Sequence, residues 1–178
     1  MAALPYDLNK TARIDGIGVI VAAGFLVVLL ATYIASGMWI YRAAANAQAV
    51  DPDPDRIKPG WAVGWFFVPI ANLWMPYKSY GQTWASLHNG ASLPSWAIVW
   101  WLCWIAGNYT AWIATRLNFS ADTIDGFRTA STPDIVSSLV SIPAALMFRK
   151  LIFDVTQASA QAQMPATPPP LNSKEGHP

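Results

Sequence analysis

The chain has 178 residues, 54% of them apolar and only 12% charged, with a net charge of +1. Soluble domains carry about 25% charged residues, so this composition argues against a soluble globular protein, and the near-neutral charge argues against nucleic acid as a partner. The single cysteine, Cys103, can form neither an internal disulfide nor a metal-ligand pair.

Residues 1–12 are polar and read as a loose N-terminal segment. The first uncharged run covers residues 16–41, longer than the ~20 residues a spanning helix needs. It is also much longer than the core of a secretory signal, and Tyr41 and Arg42 precede the alanines that would form a cleavage site. The helix is expected to begin near Thr11 to Asp15 and to run past the bilayer to about Ala49, because "YRAAANAQA" holds good helix formers and no breaker. Ala31 with Ala35, and Thr32 with Ser36, are small residues four apart, which permits close helix approach in lipid.

"DPDPDRIKPG" (51–60) is a turn, since three prolines and alternating aspartates cannot continue a helix. Its aspartates start like a calcium loop, but Arg56 and Ala62 stand where that loop needs Gly and Glu. No metal site and no cofactor are expected.

"GWAVGWFFVPIANLWMPY" (60–77) is uncharged but interrupted by Pro69, Asn72 and Pro76. Its core, 61–75, would make a helix of about 22 Å against a hydrocarbon thickness of about 30 Å. It either crosses as a broken span or dips in and returns to the same surface. Gly60 and Gly64 form a GxxxG that would let the first half pack closely on another helix. The Asn72 side chain is expected to cap backbone groups freed at the break. Next, Tyr77, Tyr80, Trp84 and Leu87 share one helical face, opposite Lys78, Ser79, Gln82 and Ser86, as in an amphipathic helix lying in the interface.

The third apolar run, 89–115, carries Trp96, Trp100, Trp104, Asn108 and Trp112 as a four-residue stripe. A loop is expected over 116–133. "STPD" then reads as a helix start, with Thr132 as cap and Pro133 in the first turn. The fourth segment carries Ser137, Ser141 and Ala145 as a small-residue packing stripe, and Pro143 is expected to kink it. The tail is Pro-rich and polar.

The domain organisation is therefore 1–12, a helical membrane domain over 13–158, and a flexible tail over 159–178. The fold is an all-α integral membrane protein with three to four membrane-embedded helices. The second, about 59–76, is broken at Pro69, with a re-entrant path as the alternative to a span, and an interfacial amphipathic helix follows it. Four spans with the N-terminus inside place six basic residues inside and five outside; a re-entrant second segment with the N-terminus outside places seven inside and four outside. The positive-inside rule favours the latter, with the C-terminus cytoplasmic.

The central sequence closely resembles a bacterial membrane-protein family known only as domain of unknown function 4328. The resemblance rests on Trp39, Tyr41, Arg42, Asn46, Arg56, Pro59, Trp61, Gly64, Trp65, Pro69, Asn72, Leu73, Trp74, Pro76 and Trp84, and extends over about residues 25–155. It implies a polytopic helical protein of the bacterial inner membrane and implies no activity. Members of the family tend to be basic on both sides of the central motif, which favours both flanks facing the cytoplasm. Many also carry extra hydrophobic sequence before the helix ending in W-x-Y-R-A, and this chain starts close to that helix.

No phosphate loop, dinucleotide fingerprint, zinc-protease helix or nucleophile elbow occurs. His88 and His177 lie outside the apolar runs, and those runs contain no carboxylate. A non-enzymatic protein is expected. Arg42, Asn46, Asn72 and Asn108 are the polar residues in or near the membrane. They serve either as hydrogen-bonding glue between helices or, with Trp61 and Trp65 as a roof, as a small polar pocket. The first function expected is an accessory or scaffold protein packed against a membrane partner or itself. The second is a small-molecule or ion pathway centred on the broken segment. A lipid-acting enzyme has no positive support.

Overall fold

The structure, a computed structural model, describes residues 8–120 and 123–164. It is all-α, with five helices: α1 (Leu8–Val50), α2 (Pro59–Gly64), α3 (Met75–Leu87), α4 (Trp96–Phe119) and α5 (Ile124–Ala162). Three of them contain apolar stretches long enough to cross a bilayer, Gly16–Val50, Trp96–Phe119 and Ser131–Ala162. The 59–76 stretch is not among them. The proline-rich tail beyond 164 and the first seven residues lie outside the described residues.

Helix α1 has 43 residues, about 64 Å at the usual rise. That is twice the hydrocarbon thickness, so its last turns extend beyond the bilayer. It already includes Leu8, ahead of the expected start near Thr11. At its other end the chain turns at 51–58, and Arg56 reaches back to hold that end. The Arg56 guanidinium donates to the carbonyls of Ala47 (3.0 Å) and Asp51 and pairs with the Asp51 carboxylate at 2.7 Å. A cation thus satisfies orphan carbonyls and meets the negative end of the helix dipole.

Helices α4 and α5 form an antiparallel hairpin. They touch through a small-residue contact: a Cβ on Gly107 would lie 3.1 Å from Ser141 Oγ, and Ser137 Oγ donates to the Gly107 carbonyl at 3.0 Å. Ala145 does not continue this seam; it is exposed, while Ala144 is buried. A strict spacing of four drifts about 40° per step around a helix, so the seam passes to Ala144, Leu151 and Val155.

The α5 start departs from expectation. Thr123 is the cap, its hydroxyl accepting from the Gly126 amide at 3.1 Å, and the helix runs through both Pro133 and Pro143. "STPD" therefore lies inside the helix. The earlier Thr-x-x-Gly contact already satisfies a first-turn amide, and the helix tolerates the proline as membrane helices can.

Helix α3 shows the largest difference from the sequence reading. Its aromatic face was expected to meet lipid. Instead Tyr80 and Trp84 are buried, with Tyr77 and Leu87 packed beside them. Ser79, Thr83 and Ser86 are buried as well, and only Lys78 of the helix is exposed. α3 is enclosed by α1, α2 and α5. A left-handed pair, Asn89 and Gly90, ends it, and the Gly90 amide returns to the Ala85 carbonyl at 2.7 Å. This is a Schellman-type end, for which Gly is suited.

Candidate functional site

The broken segment and the aromatic cluster around it are the most elaborate part of the molecule. Six-residue α2 gives way to a 3-10 turn at Trp65–Phe67, the chain passes Pro69, and a second 3-10 turn covers Ala71–Leu73 before α3. Pro69 lacks an amide proton and cannot extend α2. The backbone heals itself with short bonds: Val68 to Trp65, Asn72 to Val68, Leu73 to Ile70 and Trp74 to Ala71.

From α4, the Trp101 indole N–H donates to the Leu73 carbonyl at 3.0 Å. Trp101, which lies off the four-residue stripe, is thus the side chain that caps the break. The Asn72 side chain is not: its Oδ1 is buried with no hydrogen-bond partner, as is Trp65 Nε1 nearby in sequence. The expected role of Asn72 passes to its backbone amide and to Trp101.

Around the break stands a hub of rings. Trp101 stacks on Trp104 at 4.8 Å, and Phe66 meets both edge-on. Tyr80 meets Trp100 edge-on at 5.2 Å, and Trp100 stacks on Phe148 at 5.6 Å. Trp39 joins from α1, its ring against Tyr80 and Phe148 and its N–H donating to Thr156 Oγ1 at 3.1 Å. Such pairs contribute ~0.5–1.5 kcal/mol each beyond area burial. Burial pushes the Tyr80 phenol well above its ordinary range, so it stays neutral. Where α1, α2 and α3 meet, Ser79, Tyr80 and Thr83 line a cavity of about 10 Å³, room for about one water.

The remaining sequence-predicted residues are dispersed. Arg42 is exposed on α1 and Asn46 half-buried one turn later. Asn108 is exposed and donates to its own helix, at the Trp104 carbonyl 2.7 Å away. Trp61 stacks against Trp65 at 4.6 Å and is itself exposed. No hydrogen bond or ring contact joins Arg42, Asn72 and Asn108.

The glycines of the GxxxG do not meet another helix. Gly60 has open space where a Cβ would go, and Gly64 has the Trp61 ring at 3.2 Å. Close approach of α2 to α1 comes instead through Ala62, which is buried, and through Val63 against Gly37. Gly64 leaves room for the Trp61 ring.

The entry and exit of the broken segment are adjacent: the Ile57 amide donates to Gln82 Oε1 of α3 at 3.0 Å. Sequence reasoning missed this bond, along with the Arg56 clamp and Trp101. Arg56 was visible as the charged residue of the motif before "PGW", but its target is set by the return of the 51–58 turn. Among the described residues no group of His, Cys, Asp and Glu could hold a metal ion.

The sequence pattern of the family described as "Domain of unknown function (DUF4328)" matches residues 6–157. The chain belongs to this family. In this DUF4328 member the matched region contains all five helices nearly entire, the broken segment included. No curated protein and no solved structure matches the chain. By its three candidate spans this chain has a multi-pass membrane architecture, built around an aromatic hub.

Proposed function

We propose that the protein is a non-enzymatic accessory or scaffold subunit that offers α1 to a partner membrane protein or to a second copy of itself. One observation carries this reading. In α1, none of residues 16–35 is buried and Leu29 alone is half-buried, although the same helix is locked into the hub from Trp39 onward. Trp100, with Trp96 and Trp104 beside it, and the Ser137–Gly107 contact are used inside the chain, whereas the 16–35 stretch of α1 is left exposed.

In this reading the 59–76 segment is re-entrant. The Ile57–Gln82 bond supports it, since the two flanks of the segment lie side by side. The protein sits in the bacterial inner membrane with the hub, the 51–58 turn and the C-terminus on the cytoplasmic side, supported by the seven-to-four distribution of basic residues.

A photo-crosslinker at Leu26 or Val27, with purification from native membranes, tests the reading. Adducts to a second membrane protein, or to another copy, are expected. An uncrosslinked monomer at both positions would sink it. The re-entrant path is tested separately, by cysteines at Lys58 and Lys78 in a Cys103→Ser background; labelling from opposite faces of the membrane rejects it.

The second reading, a pathway through the broken segment, is favoured by the two unpaired buried polar atoms there, Trp65 Nε1 and Asn72 Oδ1. It predicts a flux in liposomes that Asn72→Ala abolishes.

A further inference from the structure

We propose that the outer face of α1 holds one anionic phospholipid, with its phosphate at Arg42 and an acyl chain along the furrow above it. The furrow has a volume of about 530 Å³ and is lined by Ala31, Ile34, Ala35, Met38, Trp39 and Arg42. At 100° per residue these positions fall within an arc of about 140° whose centre is roughly opposite the hub-facing Ile40, Ala44 and Ala47, with Trp39 at its edge, where its ring joins the hub. Ala31 and Ala35 form the floor because they are the small members of the row, with Ile34, Met38 and Trp39 as walls.

Length and charge select the occupant. From Ala31 to Arg42 is about 16 Å along the helix, close to one leaflet of a ~30 Å hydrocarbon core. A spanning helix from another protein has no reason to match half the membrane, whereas a lipid of the hub-side leaflet does. Arg42 ends the apolar furrow, is exposed, and forms no hydrogen bond or ion pair among the described residues. The nearest described carboxylate along the helix is Asp51, which Arg56 occupies. Trp39 is fixed at the same end by its bond to Thr156, so the wall beside the headgroup is rigid. A second copy is a poor occupant: in a symmetric pair both chains present the same patch, and two Arg42 side chains would face one another. The inference is independent of the scaffold reading, because a protein partner can sit on the rest of α1.

The test uses the purified full chain in nanodiscs of mixed phosphatidylglycerol and phosphatidylcholine, with retained lipid counted by native mass spectrometry. Wild type is expected to retain phosphatidylglycerol in preference to phosphatidylcholine. Arg42→Ala should weaken that retention about fivefold, the size of effect one basic residue has near an anionic surface, and Arg42→Lys should restore most of it. Ala35→Leu, which fills the furrow but keeps the charge, should also release the lipid. Arg116→Ala, at the other end of α4 beside Trp112, should change nothing. Equal retention of both lipids, or unchanged retention in Arg42→Ala, overturns the proposal. So does displacement by millimolar inorganic phosphate, or a disulfide between two Ala35→Cys copies that excludes the lipid.

Discussion

Helices α1 and α3 contrast in the opposite sense to a water-soluble protein. The spanning part of α1 is the most apolar stretch of the chain and is exposed on all sides. α3 is short, carries two serines, a threonine, a glutamine and a lysine, and exposes only the lysine. In water the apolar helix would be buried. In lipid, burying apolar surface gains little, since the tails are as apolar as leucine; association rests on packing and hydrogen bonds. The polar helix is therefore the one that needs protein around it: the aromatic rings pack against it, while Gln82 accepts from the Ile57 amide and Ser86 bonds back to the Gln82 carbonyl.

The largest effect that tests this contrast is in the hub. Trp100→Ala removes a ring that packs on Tyr80 and Phe148 and should cost about 3–5 kcal/mol, read as a lowered unfolding midpoint in mixed micelles. Arg56→Ala is expected to cost about 2–3 kcal/mol, because it uncaps the last turn of α1 at the same site that anchors α3's neighbours. Arg56→Lys should recover only part of that, as a lysine cannot serve three acceptors in one plane. Ser137→Ala should cost only about 0.6 kcal/mol, the usual value of an interhelical bond in a membrane, measured by the same unfolding series. The smallest effect belongs to α1's free span: Val27→Ala should change stability by no more than about 0.5 kcal/mol. A Val27→Ala loss as large as that of Trp100→Ala would mean that α1 packs inside the molecule and would break the comparison.

Much of the architecture is legible in residue order. The uncharged run from 16 to 41 marks α1, the run from 89 to 115 marks α4, and Pro69 marks the break. The start of α5 was less legible, because "STPD" carries every signal of a helix start and lies inside a helix that Thr123 had already begun. The α3 face was read correctly in its periodicity but not in its surroundings. Tyr80 and Trp84 share a face whether that face meets lipid or protein, and nothing in a 13-residue segment says which.

The candidate site shows the same limit. Asn72 has the right chemistry for a cap, and its place in the break suggests one, but the side chain that reaches the Leu73 carbonyl belongs to α4, 28 residues away in sequence. Trp101 lies one residue off the stripe that holds Trp100. Its role depends on how far α4 stands from the two 3-10 turns, and spacing along one helix carries no information about that distance.

By itself, then, the sequence determined the solvent, the helical class, the three long apolar stretches and the place where the chain breaks. Each of these follows from local physics: hydropathy over about 20 residues, helix propensity, and a proline that cannot donate. Only the tertiary structure decided which faces of those helices were used. It put Ser137 and Gly107 together, turned the α3 aromatics inward, gave the break to Trp101 and left α1's span open. Those choices depend on side chains meeting across long separations in the chain, where each pairing is weak alone and is selected only when the whole set packs at once.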